Sequence, residues 1–172
     1  MNPPGPFDNF DYRALASRAD LTYDTPVGRS EEGMPIGNGR TGGLVWTTPN
    51  ALRVQVNRND VFATNSASRS FPTRTDYSGG CAYVDVHVAD GTADPGVFAG
   101  TPFSQHLSVY DGLMTAAGDG VTARVLAWHE RDVIAIEIDD RRPHPQPIHV
   151  DLRMLRFAIQ HVRGHASQDW AR

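Results

Sequence analysis

Two short polar stretches hold the residues best suited to chemistry. The first, MPIGNGRTGG at positions 34–43, sets Asn38 and Arg40 among Gly37, Gly39, Gly42 and Gly43. An amide offers both donors and an acceptor, and a guanidinium offers five donors in a rigid fork that matches a carboxylate or a carbonyl. The second, VNRNDVF at 56–62, contains Asn57, Asn59 and Asp60. These side chains could hydrogen-bond a sugar or hold a cation, or they could cap a strand end through Asx turns. The glycines are not a dinucleotide fingerprint. That motif follows a strand and opens a helix, whereas this one runs directly into the apolar LVW of an expected strand. No helix start stands behind it to receive a phosphate. A tight turn explains the glycines; it does not by itself explain Asn38 and Arg40.

Other chemical groups are scattered. His161 and His165 are four positions apart, which on a helix would share a face as in some metal sites, but Gly164 lies between them and no acidic third ligand is close in sequence. No metal and no cofactor is expected. Asp85, Glu137, Asp139, Asp140 and Asp151 fall on expected strands, and glycoside hydrolysis needs two carboxyl groups at a set separation, which sequence spacing does not define here. The chain has no Gly-x-Ser-x-Gly elbow and no Cys–His arrangement, so no residue is assigned a catalytic role. Cys81 is the one cysteine and reads as a buried structural thiol.

The elements that must position these groups are strands. ALRVQVN alternates, with Leu52, Val54 and Val56 on one side and Arg53, Gln55 and Asn57 on the other. CAYVDVHV repeats the device with Ala82, Val84, Val86 and Val88. HLSVY and LMTAA flank Asp111-Gly112, a favoured hairpin pair. VTARVLAWHERDVIAIEI reads as two strands about a turn at 129–132, and IHVDLRML as another with Ile148, Val150, Leu152 and Met154 inward. DYRALASRADLTYD predicts a helical turn followed by a strand. The gaps at 63–80 and 89–102 are long and polar, of the kind that often faces a ligand. Together these predict an all-β, antiparallel sandwich with long loops and little helix. The expected organisation is an arm over 1–19, a sandwich over 20–156, and the start of a connection over 157–172.

The totals agree with one globular unit. The chain has 172 residues, 40 % apolar, with 20 acidic and 16 basic residues and a net charge of −4. Every base is arginine, and there is no basic block, so neither nucleic acid nor an anionic membrane is an expected partner. No apolar run approaches the ~20 residues of a membrane helix. The first residues, MNPPGPFDNFDY, show neither the basic nor the apolar region of a signal peptide, and the compartment is left open.

Five blocks in order, MPIGNGRTGGLVW, LRVQVNRNDVFA, YVDVHV, QHLSVYDGLMTA and VTARVLAWHERDVIAIEI, resemble the N-terminal domain of glycoside hydrolase family 95 and its relatives, over roughly residues 20–155. Asn59, Asp60 and Phe62 stand where the common pattern carries an Asn-Glu-x-x-Trp run. The resemblance implies a β-supersandwich preceding a large (α/α)6 barrel that carries catalysis, usually on α-L-fucosides or related galactosides, in proteins that are often exported. It carries over Gly37, Asn38, Gly39 and Arg40, with Asn57, Asn59 and Asp60, as interdomain or substrate contacts, and no catalytic residue. The expected function is thus a non-catalytic domain of a carbohydrate-active enzyme, meeting oligosaccharide through an adjoining catalytic domain. Two alternatives stand beside it. One is a free-standing carbohydrate-binding module, for which Trp128, opposite in face to Val125 and Ala127, is the best stacking candidate while Trp46 is expected in the core. The other is an assembly domain marked by an exposed apolar patch.

Overall fold

The alternating segments become strands, and their apolar faces meet. The computed structural model describes residues 10–62, 78–91, 96–155, 157–162 and 165–170. A short helix α1 (Tyr12–Ala16), capped by the Asp11 carboxylate, precedes β1 (Leu21–Tyr23). Then follow β2 (Met34–Gly37), β3 (Thr41–Thr48), β4 (Ala51–Phe62), β5 (Ser78–His87), β6 (Phe103–Ser108), β7 (Leu113–Gly118), β8 (Val121–Ala127), β9 (Ile134–Asp140) and β10 (His149–Met154). Two more, β11 (Phe157–Val162) and β12 (His165–Trp170), pair with each other as an antiparallel two-stranded sheet.

Two five-stranded antiparallel sheets make the sandwich. One has the order β1-β6-β7-β8-β9, the other β10-β5-β4-β3-β2. Because side chains alternate across a strand, register decides what faces inward. The row Val45–Val54–Val84 and the row Thr47–Leu52–Val86 cross β3, β4 and β5 on the inner face. Opposite them lie Leu107, Met114, Ala116, Ala123 and Val125, and these residues form one buried cluster. Fully burying each of the larger aliphatic side chains contributes about 1.5–3 kcal/mol. Gln105 is buried in the same layer and reaches across it, its Nε2 donating to the Val45 carbonyl at 3.3 Å.

A second cluster closes one end. Val97 and Phe98 fold inward with Val88, Ala89, Phe103 and Val121, and Phe98 has no exposed surface. Backbone bonds from Phe98 N–H to Pro49 O and from Val97 N–H to the Asn50 side chain fix this segment to the β3–β4 turn. Within the 89–102 gap, Ala89, Val97 and Phe98 are therefore core material, while Asp90, Gly91, Ala99, Thr101 and Pro102 stay exposed. Most of the other long gap, 63–77, lies outside the described residues.

Two expectations are corrected, and the geometry of one histidine pair is defined. Ile148, Val150, Leu152 and Met154 are not buried: they are 51 %, 57 %, 64 % and 60 % exposed. Their phase was read properly, since Val150, Leu152 and Met154 pair with Val86, Val84 and Ala82 and so share the inner face. The strand lies at the edge of its sheet, and among the described residues it packs mainly on β5, which leaves its inner face exposed. Cys81 is half-buried instead of buried, because it falls on the outer face beside the inward Ala82. His161 and His165 stand on two paired strands, with His161 opposite Ala166 and Val162 opposite His165, so the helical spacing that suggested a shared face does not apply.

Candidate functional site

The glycine stretch becomes the β2–β3 hairpin and its loop. Register pairs Gly37 with Gly42 and Ile36 with Gly43, leaving Asn38, Gly39 and Arg40 to turn the chain. Asn38 makes the turn. Its Oδ1 accepts from the N–H groups of Arg40 (2.9 Å) and Thr41 (2.8 Å), an Asx turn, and its own N–H donates to Thr41 O. Gly39 adopts φ +91°, a conformation that L side chains rarely take. Gly42 is there for a different reason: a Cβ would stand 2.7 Å from the Ile36 carbonyl.

The same Asn38 crosses to the other sheet. Its Nδ2 donates to the Trp128 and Arg131 carbonyls, both at 2.8 Å, in the turn between β8 and β9. Asp132 of that turn then gathers cations and a hydroxyl from the facing sheet. It accepts from Arg58 Nη1 at 2.9 Å, from Thr41 Oγ1 at 3.3 Å and from Arg40 Nη1 at 3.4 Å. Arg58 holds Asp60 with its remaining edge, at 2.9 and 2.7 Å, a two-bond fork. Asn59 completes the knot, its N–H on the Arg40 carbonyl and its Nδ2 on the Gly39 carbonyl, both at 3.0 Å.

Protonation follows this geometry. Hydrogen bonds from Arg58 hold the Asp60 carboxyl below the usual carboxylate range. Partial burial pushes Asp132 upward, but Arg58 and Arg40 together outweigh it and leave it lowered as well. Arg58, with Asp60 first and Asp132 second, is held more firmly protonated than a free guanidinium.

The fold thus brings Asn38, Arg40, Asn59 and Asp60 to one corner, with Gly37 and Gly39 shaping the backbone. Asn57 pairs with Gly42 of the glycine stretch and lines a shallow cavity with Gly37, Gly39, Arg40 and Asn59 on the outer side of the corner. It stands on the outer face of β4 beside Gly80, and its buried Oδ1 has no hydrogen-bond partner among the described residues. Trp128 adjoins the corner at 44 % exposure, with the Arg131 guanidinium 5.9 Å from its ring centre, whereas Trp46 is 6 % exposed. Arg58, Thr41 and Asp132 went unassigned in the sequence. Arg58 sits inside VNRNDVF and could have been found from its charge two positions before Asp60; Asp132 sat in a turn with nothing to connect it to residue 40.

A polar groove of about 330 Å³ follows the corner, lined by Asn38, Arg40, Asn59, His129, Glu130 and Asp132. His129 and Glu130 are exposed, and the Arg40 side chain is 65 % exposed, with one long contact, to Asp132, among the described residues. The five strand carboxylates offer no free pair. Asp85 is forked by Arg53 at 2.6 and 2.7 Å and Asp140 by Arg142; Asp139 meets Arg141 through one oxygen, Glu137 meets Arg124 Nη1 at 3.2 Å, and Asp151 meets His87 and His149. Among the described residues no group of three His, Cys, Asp or Glu side chains could hold a metal ion. No helix among them is long and apolar enough to cross a membrane. No protein-family model matches this chain, and no curated protein matches it.

Proposed function

We propose that this chain is a non-catalytic β-domain of a carbohydrate-active enzyme, resembling the N-terminal domain of glycoside hydrolase family 95, whose glycine corner packs on a helical catalytic domain and helps to wall its substrate cleft. One observation carries the reading: Asn38, Arg40, Asn59 and Asp60, remote in sequence from the 128–132 turn, converge with it on one rigid polar corner. Inner bonds hold that corner's shape, and Arg40 keeps donors outward for a carboxylate or carbonyl of a neighbour. The protonation pattern supports a positioning role. A glycosidase acid needs a carboxyl held protonated near neutrality, and Asp60 and Asp132 are both biased toward the ionised form.

Trp128 favours a second reading, a free-standing carbohydrate-binding module, because its side chain is 44 % exposed and it directly precedes His129, which lines the polar groove. Two measurements on the 172-residue chain separate the readings. Aryl α-L-fucosides and galactosides are expected to show no turnover, and turnover would overturn the non-catalytic proposal. Tryptophan fluorescence titrated with fucose-, galactose- and xylose-containing glycans is expected to stay flat. Saturable quenching that Trp128→Ala abolishes would transfer the proposal to the binding module.

A further inference from the structure

We propose that β10 is a self-association edge, pairing antiparallel with β10 of a second copy about a twofold axis through Leu152, so that two five-stranded sheets join into one of ten. The strand is fit for this in its backbone. Proteins usually blunt a free edge with a Lys, a Pro, a bulge or an overlying segment. β10, His-Val-Asp-Leu-Arg-Met, has no Pro, its charges are one Asp and one Arg of opposite sign, and it matches β5 residue for residue over six pairs without a bulge. All six residues are exposed. The Leu155 N–H bonds to the Cys81 carbonyl, so odd-numbered residues turn their backbone groups toward β5. Val150, Leu152 and Met154 therefore present N–H and C=O groups to the open edge, and the same residues carry the uncovered apolar face.

Charge selects both the partner and the register. Asp151 lies directly opposite Asp85 on β5, a like-charge neighbour already committed to Arg53, and it draws only on His87 and His149. Arg153 makes no ion pair among the described residues and lies over the Tyr83 ring at 4.9 Å. A twofold axis at Leu152 places Asp151 opposite Arg153 of the second copy, and Arg153 opposite its Asp151. It also sets Leu152 beside Leu152 and Val150 beside Met154, joining the apolar faces. An axis at Asp151 would oppose two aspartates and put His149 against Arg153. An axis at Arg153 would oppose two arginines. An axis at Val150 satisfies His149 with Asp151 but leaves Arg153 opposite Pro147. Only the Leu152 register gives every acidic and basic residue of the strand's carboxylate–guanidinium set an opposite charge.

Sedimentation velocity on the whole chain tests this. A species of twice the 18.8 kDa chain mass is expected, growing with concentration. Asp151→Arg or Arg153→Glu alone is expected to raise the dimer dissociation constant about tenfold or more, since attraction becomes repulsion at two symmetric positions. Mixing the two variants restores both opposite-charge pairs and is expected to restore dimer as a heterodimer, as is the double reversal in one chain. Leu152→Cys is expected to cross-link under mild oxidation, because a hydrogen-bonded antiparallel pair holds Cα atoms about 5.5 Å apart, within disulfide reach. Unchanged far-ultraviolet circular dichroism of each variant establishes that folding is intact. A chain that stays monomeric near millimolar concentration overturns the proposal. So does a dimer that ignores the charge reversals or whose mixed variants fail to associate.

Discussion

The sheet that contains β2 and β10 ends in two unlike ways. At the β2 side the hairpin loop is knotted to the opposite sheet, with Asn38 alone making four side-chain bonds and Asp132 meeting three groups. At the β10 side the inner face carries Val150, Leu152 and Met154 into solvent. Both strands obey the same alternation. What differs is how far the facing sheet stands over them: β2 touches β7 and β8, whereas among the described residues β10 packs mainly on its neighbour β5. Alternation sets the phase of a strand, and burial depends on the neighbour across the layer.

Substitutions along one cross-strand row sharpen that contrast most. Leu52, Val86 and Val150 occupy the same inner row, yet Leu52 is fully buried and Val150 mostly exposed. Leu52→Ala is expected to cost about 3 kcal/mol through lost burial and a residual cavity, measured by chemical denaturation. Next comes the closed corner. Asn38→Ala removes two cross-sheet donors and the Asx acceptor and is expected to cost about 2 kcal/mol. Asn38→Asp keeps the acceptor but aims an anion at two carbonyls, so it is expected to be no better than Ala; full stability in Asn38→Asp would show that the cross-sheet bonds carry no weight.

A smaller effect is expected from pH. Asp60 and Asp132 have folded pKa values below their unfolded ones, so their contribution is complete above the ordinary carboxylate range, near about 4, and is lost as pH falls through the lowered folded values. Melting temperatures followed from pH 7 to 2 should therefore hold in the upper part and fall in the lower. Asp132→Asn should melt lower at pH 7 and show a shallower acid decline. The smallest effect belongs to the open edge: Val150→Ala at a dilution that keeps the chain monomeric is expected to change stability by less than ~0.5 kcal/mol. A cost like that of Leu52→Ala would mean that something covers β10.

Much of the fold was legible because its signals are local. The alternation of Leu52, Val54 and Val56, and the Asp111-Gly112 hairpin, depend only on neighbours within a strand or turn. The exposure of β10 could not be read, because it depends on how far the opposite sheet extends. Of the corner, Asn38, Arg40, Asn59 and Asp60 were visible as polar groups beside glycines. Their partner Asp132 was not, since 92 positions separate it from Arg40 and only the packing of the two sheets brings them together. Phe98 was missed for a similar reason: a short apolar pair in a Gly- and Pro-rich stretch looks like loop until a cavity claims it.

That phenylalanine also limits how the molecule can meet anything else. With its side chain fully buried among Val88, Ala89, Phe103 and Val121 and its amide tied to Pro49, it fills the space between the two sheets at that end. Whatever meets the molecule there meets the rims and clefts around this plug, and leaves the packed interior undisturbed.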